Sequence, residues 1–256
     1  MLIATFNANS IRSRMDVILR WLAEHKPDAL CIQETKVADA EFPHQPIEDA
    51  GYHVVFKGEK AYNGVALISR AAPTEVSFGL DDLPYDEPRL LHAKIGPVHI
   101  VNTYVPQGRE IDNPMYKYKL EWFARLRRYF DRHFKKTDML IWAGDLNVAA
   151  EPIDVHSPEL YGNHVCFHAA AREAFAQCRS WGFVDVFRKY HPEPGQYTFF
   201  DYRTPNAVQR GIGWRIDYLL ASSGLAGKSA DAAIDIRPRL EKKASDHVFL
   251  SATFDV

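Results

Sequence analysis

The sequence predicts an α/β fold with at least two β-sheets. Strand-like segments outnumber helical ones, and they occur both as hairpins and in β-α-β order. No composition shift marks a boundary, so residues 1–256 are expected to form one domain. Apolar runs of strand length are also repeatedly closed by a carboxylate, an amide, a phenol or an imidazole.

The elements follow from periodicity. Residues 2–6 read as a buried strand. Ile11, Met15, Ile18, Leu19 and Leu22 then recur at helical spacing, which predicts an amphipathic helix from Ile11 to His25, ended by Pro27-Asp28. Ala29-Leu30-Cys31-Ile32 is a second strand that delivers Gln33-Glu34. Strand patterns follow at 52–56, 64–69, 90–95 and 98–104, with the turn signal Gly96-Pro97 between the last two. A helix over 118–134 carries Leu120, Phe123, Leu126 and Phe130 on its apolar side. The strand at 139–143 ends in Gly144-Asp145-Leu146-Asn147, and a helix near 169–180 stops at Gly182. Further strands are expected at 183–187, 215–220, 232–236 and 248–254. Three long connections remain, 106–117, 149–163 and 203–213, and loops of that length in compact domains are usually functional or disordered.

Composition sets limits. Apolar residues make up 46% and charged residues 25%, ordinary for a soluble globular protein. A formal charge of −2 argues against a broadly basic nucleic-acid coat but allows a local basic groove, because the field depends on how charge is distributed. The three cysteines, Cys31, Cys166 and Cys178, form no C-x-x-C pair, which points to a reducing, cytoplasmic setting. The segment from Met1 to Asn7 has no signal-peptide pattern, and no apolar run reaches the roughly 18 residues of a membrane span.

The polar strand ends carry the chemistry. Asn7, Glu34, Tyr104, Asp145 with Asn147, Asp217, and Asp246 with His247 all lie at the ends or edges of apolar runs. If those ends converge, they form one polar cleft on a rigid scaffold. The residue types suit phosphodiester hydrolysis. A hard cation such as Mg²⁺, or Mn²⁺, needs only one or two carboxylates, here Glu34 first and Asp246 second. Asp145 would orient or deprotonate the attacking water, with Asn147 positioning water or phosphate. A protonated His247 would donate to a phosphate oxygen, with Asp217 fixing its orientation and raising its pKa. Tyr104 would donate to the phosphate or assist the leaving group. Taken singly each residue is weak, since an Asp at a strand end is more often a cap; the argument rests on their occurring together.

The strings Thr5-Phe6-Asn7, Ile32-Gln33-Glu34-Thr35-Lys36, Asn102-Thr103-Tyr104-Val105-Pro106, Gly144-Asp145-Leu146-Asn147, Arg215-Ile216-Asp217-Tyr218 and Ser245-Asp246-His247 together resemble the endonuclease/exonuclease/phosphatase superfamily, over almost the whole chain. That resemblance implies a four-layer sandwich, two packed mixed sheets flanked by helices. Gln33-Glu34-Thr35-Lys36, the run from Gly195 to Arg203 and the run from Gly211 to Tyr218 narrow it to the exonuclease III branch of apurinic/apyrimidinic (AP) endonucleases. The branch implies cleavage 5′ to an abasic site, removal of 3′-blocking groups and degradation of duplex DNA from 3′ ends. By the same matching, Glu34 resembles the metal ligand, Asp217 with His247 the dyad, Asp145 with Asn147 the water-orienting pair, and Tyr104 and Asn7 the phosphate contacts. Phe199 and Trp214 stand where the branch lines its pocket for the extruded abasic sugar, and such a nucleotide is cheap to extrude. Some members carry an acid where this chain has Asn9, which leaves the number of ions open. Gln107 occurs in some members and Asn in others, and Arg109 would enter DNA beside the lesion. The N-terminus resembles the minimal, bacterial-type catalytic core, which implies a cytoplasmic, nucleoid-associated monomer acting on double-stranded DNA, away from membranes.

Other readings are weighed beside these. Arg203, Arg210, Arg215, Lys242 and Lys243 would track phosphates or simply be solvated. Arg125, Arg127, Arg128 and Arg132 read as the solvated face of their helix. His164-Val165-Cys166-Phe167-His168 lacks the partner ligands of a zinc site. Trp21, Trp122, Trp142 and Trp181 read as core. A phosphoesterase acting on lipid headgroups, inositol phosphates or nucleotides, and a DNA-binding module without catalysis, are the rival functions.

Overall fold

The computed structural model describes residues 1–256. In its first half the elements are β1 (Leu2–Asn7), α1 (Ile11–His25), β2 (Ala29–Gln33), α2 (Gln45–Asp49), β3 (His53–Lys57), β4 (Val65–Ser69), β5 (Thr74–Phe78), β6 (Leu90–Ile95) and β7 (Val98–Tyr104). Then come α3 (Pro114–His133), β8 (Leu140–Asp145), α4 (Ala169–Arg179), β9 (Phe183–Asp185), α5 (Val186–Tyr190), β10 (Asp217–Ser222), α6 (Ser223–Ala226), β11 (Ser229–Asp235) and β12 (Phe249–Phe254).

The apolar runs are nearly continuous because both faces of the central strands are covered. Period-two alternation sends one set of side chains inward and the other outward. Ile3, Cys31 and Leu67 of one sheet meet Ile100, Ile141 and Leu219 of the other. On the outer face of the first sheet, Ile18, Trp21 and Leu22 of α1 cover Phe6, Leu30 and Ile32. On the outer face of the second, Trp122 and Phe123 of α3 and Phe175 of α4 cover Val101, Trp142 and Leu220. The result is the expected four-layer sandwich, with Trp21, Trp122, Trp142 and Trp181 buried.

The sheets have six strands each, in the orders β11-β12-β1-β2-β4-β3 and β5-β6-β7-β8-β10-β9. Each has one parallel pair near its centre, β1 with β2 and β7 with β8. Parallel strands end on the same side, so Asn7 lies in register with Gln33, and Tyr104 with Asp145. A buried amide links the two sheets. Asn102 of β7 donates to the carbonyls of Ile32 and Ala66 at 3.0 and 2.9 Å, and Gln33 donates to its Oδ1 at 2.7 Å. Satisfied buried polar groups of this kind specify one arrangement of the layers.

Several expectations need correction. Helix α3 begins at Pro114, four residues before the predicted start at 118, because the Asn113 side chain accepts from the Met115 N–H and Pro114 suits the first helical position. The predicted strand at 183–187 stops at Asp185, whose side chain accepts from the Arg188 N–H and starts α5. The edge strand β5 was not expected; it is exposed at every residue, so it has no alternation to read. The short helices α2 and α6 were likewise unforeseen. Arg125 is not on a solvated face: it is buried and paired with Asp82 and Asp86. Nor does Arg215 track phosphate. It is 1% exposed and pairs with Asp154 and Asp185.

Asp154 is fully buried between two guanidiniums, taking hydrogen bonds from Arg215 Nε at 2.8 Å and Arg188 Nη2 at 2.5 Å. Removing one partner of such a pair leaves uncompensated buried charge, at a cost of roughly 3 kcal/mol or more. Asp154→Asn is therefore expected to lower the urea midpoint by an amount equivalent to about 3 kcal/mol. A wild-type midpoint would contradict this account of the network.

Candidate active site

The strand ends do converge. Asn7, at the end of β1, is fully buried and donates through Nδ2 to Glu34 Oε1 and to Asp145 Oδ2, both at 2.8 Å. One amide thus joins a carboxylate from each sheet. Asp217 opens β10 directly across from Asp145 in the antiparallel register. His247, two residues before β12, places Nδ1 2.8 Å from Asp217 Oδ2 and Nε2 3.7 Å from Asp145 Oδ2.

Local chemistry explains the Gly-Asp-x-Asn string. A Cβ on Gly144 (φ +130°) would lie 1.9 Å from the Thr103 carbonyl oxygen, so only glycine lets β8 run this close to β7. Asp145 Oδ1 accepts from the Asn147 N–H at 2.9 Å. Asn147 is held in the left-handed region (φ 49°), which asparagine tolerates, and its side chain donates to the Val105 carbonyl at 3.0 Å.

The electrostatics are those of crowded carboxylates. Burial, together with the charges of Asp217 and Glu34, pushes Asp145 up to about 7 against the opposing pull of His247 and Asn7. Burial works to neutralise His247, but Asp217 and Asp145 outweigh it and raise the imidazole to about 10. Burial also acts to raise Glu34, yet the Lys36 ammonium and the hydrogen bonds from Lys36 and Asn7 hold it below the usual carboxylate value. The Tyr104 phenol is driven well above its ordinary value by burial and by the charges of Glu34 and Asp145, which keeps its proton on. The Arg89 guanidinium lies 4.9 Å from the centre of the Tyr104 ring.

One corner suits a cation. Lys36 Nζ stands 2.6 Å from Glu34 Oε2 and 2.5 Å from Asn9 Oδ1, so these oxygens already converge on a positive charge. Asn9 also donates to Asp246 Oδ1 at 3.0 Å. Ligand atoms of Glu34, Asp145 and His247 lie within 4.8 Å of one another. The donors are mainly hard oxygens, which fit a hard divalent ion.

These groups open into a cleft of about 390 Å³ that Tyr104, Gln107, Phe199, Arg203, Trp214 and Asp246 also line. Phe199 forms single bridges to both Trp214 and His247, which ties the aromatic wall to the dyad. Arg203 is exposed and paired with Asp201 on the cleft rim. Arg109 is exposed on the loop after β7 and does not line the cleft; its N–H takes up Gln107 Oε1 at 2.6 Å.

The far wall was missed in the sequence. Tyr161 and His164 pack against Trp214 with ring centres 4.9 and 4.6 Å apart, and His156 joins them through a 3.1 Å contact with the Gly213 carbonyl. The available signal was the long connection 149–163, which carries His156 and Tyr161. His164 and Cys166 line the cleft and His168 caps α4, accepting from the Ala170 N–H at 3.4 Å.

Comparison with known proteins agrees with this geometry. The family model described as Endonuclease/Exonuclease/phosphatase family matches residues 4–247. An exodeoxyribonuclease of Bacillus subtilis is 34% identical over 258 residues, covering 96% of each chain. The structure of an AP endonuclease from Archaeoglobus fulgidus superposes with a TM-score of 0.98 at 53% identity, covering 100% of both chains. A 3′ phosphatase from Neisseria, solved bound to a product DNA hairpin, has a TM-score of 0.94 at 36% identity, again over 100% of both chains. The chain belongs to the Endonuclease/Exonuclease/phosphatase family.

Proposed function

We propose that this chain is a metal-dependent DNA phosphodiesterase of base-excision repair. It cleaves 5′ to abasic sites to leave a 3′-hydroxyl, and also acts on 3′ ends as exonuclease and 3′-phosphatase. One observation carries the reading: the Glu34–Asn7–Asp145 bridge and the Asp217–His247 dyad open beside the Phe199–Trp214 wall in one cleft. Polar groups suited to a phosphate thus sit next to an aromatic slot suited to a sugar without a base. The DNA substrate is supported by the names of the Bacillus, Archaeoglobus and Neisseria relatives.

Glu34, with Asp246 and Asn9 beside it, would hold a divalent cation, for which Mg²⁺ is the proposed physiological ion and Mn²⁺ a substitute. Such an ion supplies neutralisation of phosphate charge and stabilisation of the leaving oxygen. The remaining work falls to the chain. Asp145 takes the proton of the attacking water, with both carboxylate oxygens aimed by the Asn147 N–H and the Asn7 amide. His247 stays protonated because Asp217 holds Nδ1, and this leaves Nε2 to donate to a phosphate oxygen. Tyr104 keeps its proton and donates to the phosphate or the leaving oxygen. Phe199 and Trp214 receive the extruded sugar, and Gln107, Arg109 and Arg203 contact DNA around it. We further propose that residues 1–256 act as one catalytic domain, as a monomer in the cytoplasm. The free, buried thiols of Cys31, Cys166 and Cys178 support the reducing compartment, and no helix is long and apolar enough to cross a membrane.

The test is a 5′-labelled duplex carrying one abasic-site analogue, incubated with Mg²⁺ or with EDTA beside an intact duplex. A cut just 5′ of the lesion, abolished by EDTA, is expected. Inert DNA alongside turnover of phospholipid headgroups or nucleotides would overturn the reading.

Substitutions test the roles. Asp145→Asn and His247→Asn are each expected to slow cleavage by about 10²–10⁴-fold while duplex binding largely survives. Trp214→Ala should reduce the preference for abasic over intact DNA more than it weakens metal binding. Near-normal turnover in either of the first two, or an unchanged preference in the third, would remove the role assigned to that residue.

A further inference from the structure

Lys119, in α3, has no place in the chemistry described so far, yet it is fully buried. Its ammonium donates to three backbone carbonyls: Gln107 at 3.2 Å, Asn147 at 2.6 Å and Val165 at 2.8 Å. An ammonium has three protons and no acceptor, so these three carbonyls saturate it. None of the three belongs to a carboxylate, and an unpaired buried charge is retained only where its hydrogen bonds are complete.

The three carbonyls come from the three segments that line the cleft beside Asp145. The segment after β7 carries Gln107. The turn after β8 carries Asn147 in its left-handed conformation. The segment before α4 carries His164 and Cys166, both in the cleft wall. The backbone is shaped around this arrangement. Gly108 (φ +99°) passes so close to α3 that a Cβ there would lie 3.2 Å from Tyr116 Cδ2 and 3.4 Å from Lys119 Cδ.

We propose that Lys119 is a positioning residue for phosphodiester cleavage. Its buried ammonium fixes three wall segments relative to one another and so aims the Asn147 amide and the N–H that Asn147 gives to Asp145. This rests on the hydrolytic reading of the cleft. A displacement of about 1 Å from a change outside the reacting atoms is enough to cost roughly 10²-fold in rate. Lys119→Met removes the charge at similar volume but leaves three carbonyls without their donor.

The test combines kinetics with hydrogen exchange. Single-turnover cleavage of an abasic duplex and DNA affinity are measured for wild type, Lys119→Met, Asn147→Ala and the double variant, well below the melting temperature of each. Lys119→Met is expected to lose about 10–100-fold in rate with little change in affinity. The double variant should then lose little beyond Asn147→Ala alone, because the two act as a unit. A wild-type rate in folded Lys119→Met, or losses that simply multiply, would overturn the proposal. If Lys119→Met does not fold, Lys119→Arg carries the test. Its planar donors do not match three carbonyls arranged around one point, so about a tenfold loss at unchanged affinity is expected, and a full rate refutes it. Hydrogen exchange separates this inference from the functional reading. Even if no DNA is cut, Lys119→Met or Lys119→Arg should speed exchange together in the segments around residues 107, 147 and 165. Wild-type protection in all three would overturn the role of Lys119 by itself.

Discussion

Three carboxylates face one another in a space largely closed to water, and the rest of the site is arranged around that repulsion. Glu34 comes from one sheet, and Asp145 and Asp217 from the other. Two like charges about 4 Å apart repel by about 4 kcal/mol at the effective dielectric of a protein site. Two groups offset this. His247 lies between Asp217 and Asp145 and is held protonated by both. Asn7 donates one amide proton to Glu34 and the other to Asp145. The balance leaves a net negative corner that draws Lys36 and suits a divalent cation. It also leaves Asp145 poised to accept a proton close to neutrality.

The fold makes this crowding affordable by fixing it from both sides. Each sheet contributes a parallel pair whose carboxyl ends point into the cleft. The Asn102–Gln33 link keeps those ends together, one residue from Glu34 and two from Tyr104. Because the site is carried at and just beyond the ends of central strands, the register of the sheets sets the frame of its geometry. The loops supply the wall formed by Tyr161, His164 and Trp214.

Much of this was legible in the sequence, for a physical reason. Strands buried on both faces leave long apolar runs, so polar residues at the ends or edges of those runs stand out. Asn7, Glu34, Tyr104, Asp145, Asp217 and His247 were all found that way. What stayed hidden depends on contacts distant in the chain. Arg125 and Arg215 look like surface cations until Asp82, Asp86, Asp154 and Asp185 are brought against them. Lys119 looks like any helical lysine, because three carbonyls spread along the chain decide its burial. The start of α5 turns on one capping side chain, Asp185, within a segment that otherwise reads as strand.

The charge of His247 is the point on which the account turns, and ¹⁵N NMR of histidine-labelled protein reads it directly. An unperturbed imidazole titrates near pH 6.5, so at about pH 8 an ordinary histidine is neutral. Assigned by comparison with His247→Asn, the His247 ring is predicted to carry protons on both nitrogens at that pH and to lose one in Asp217→Asn. A neutral His247 ring in the wild-type protein at about pH 8 would contradict the claim that the dyad and Asn7 together neutralise the crowded carboxylates.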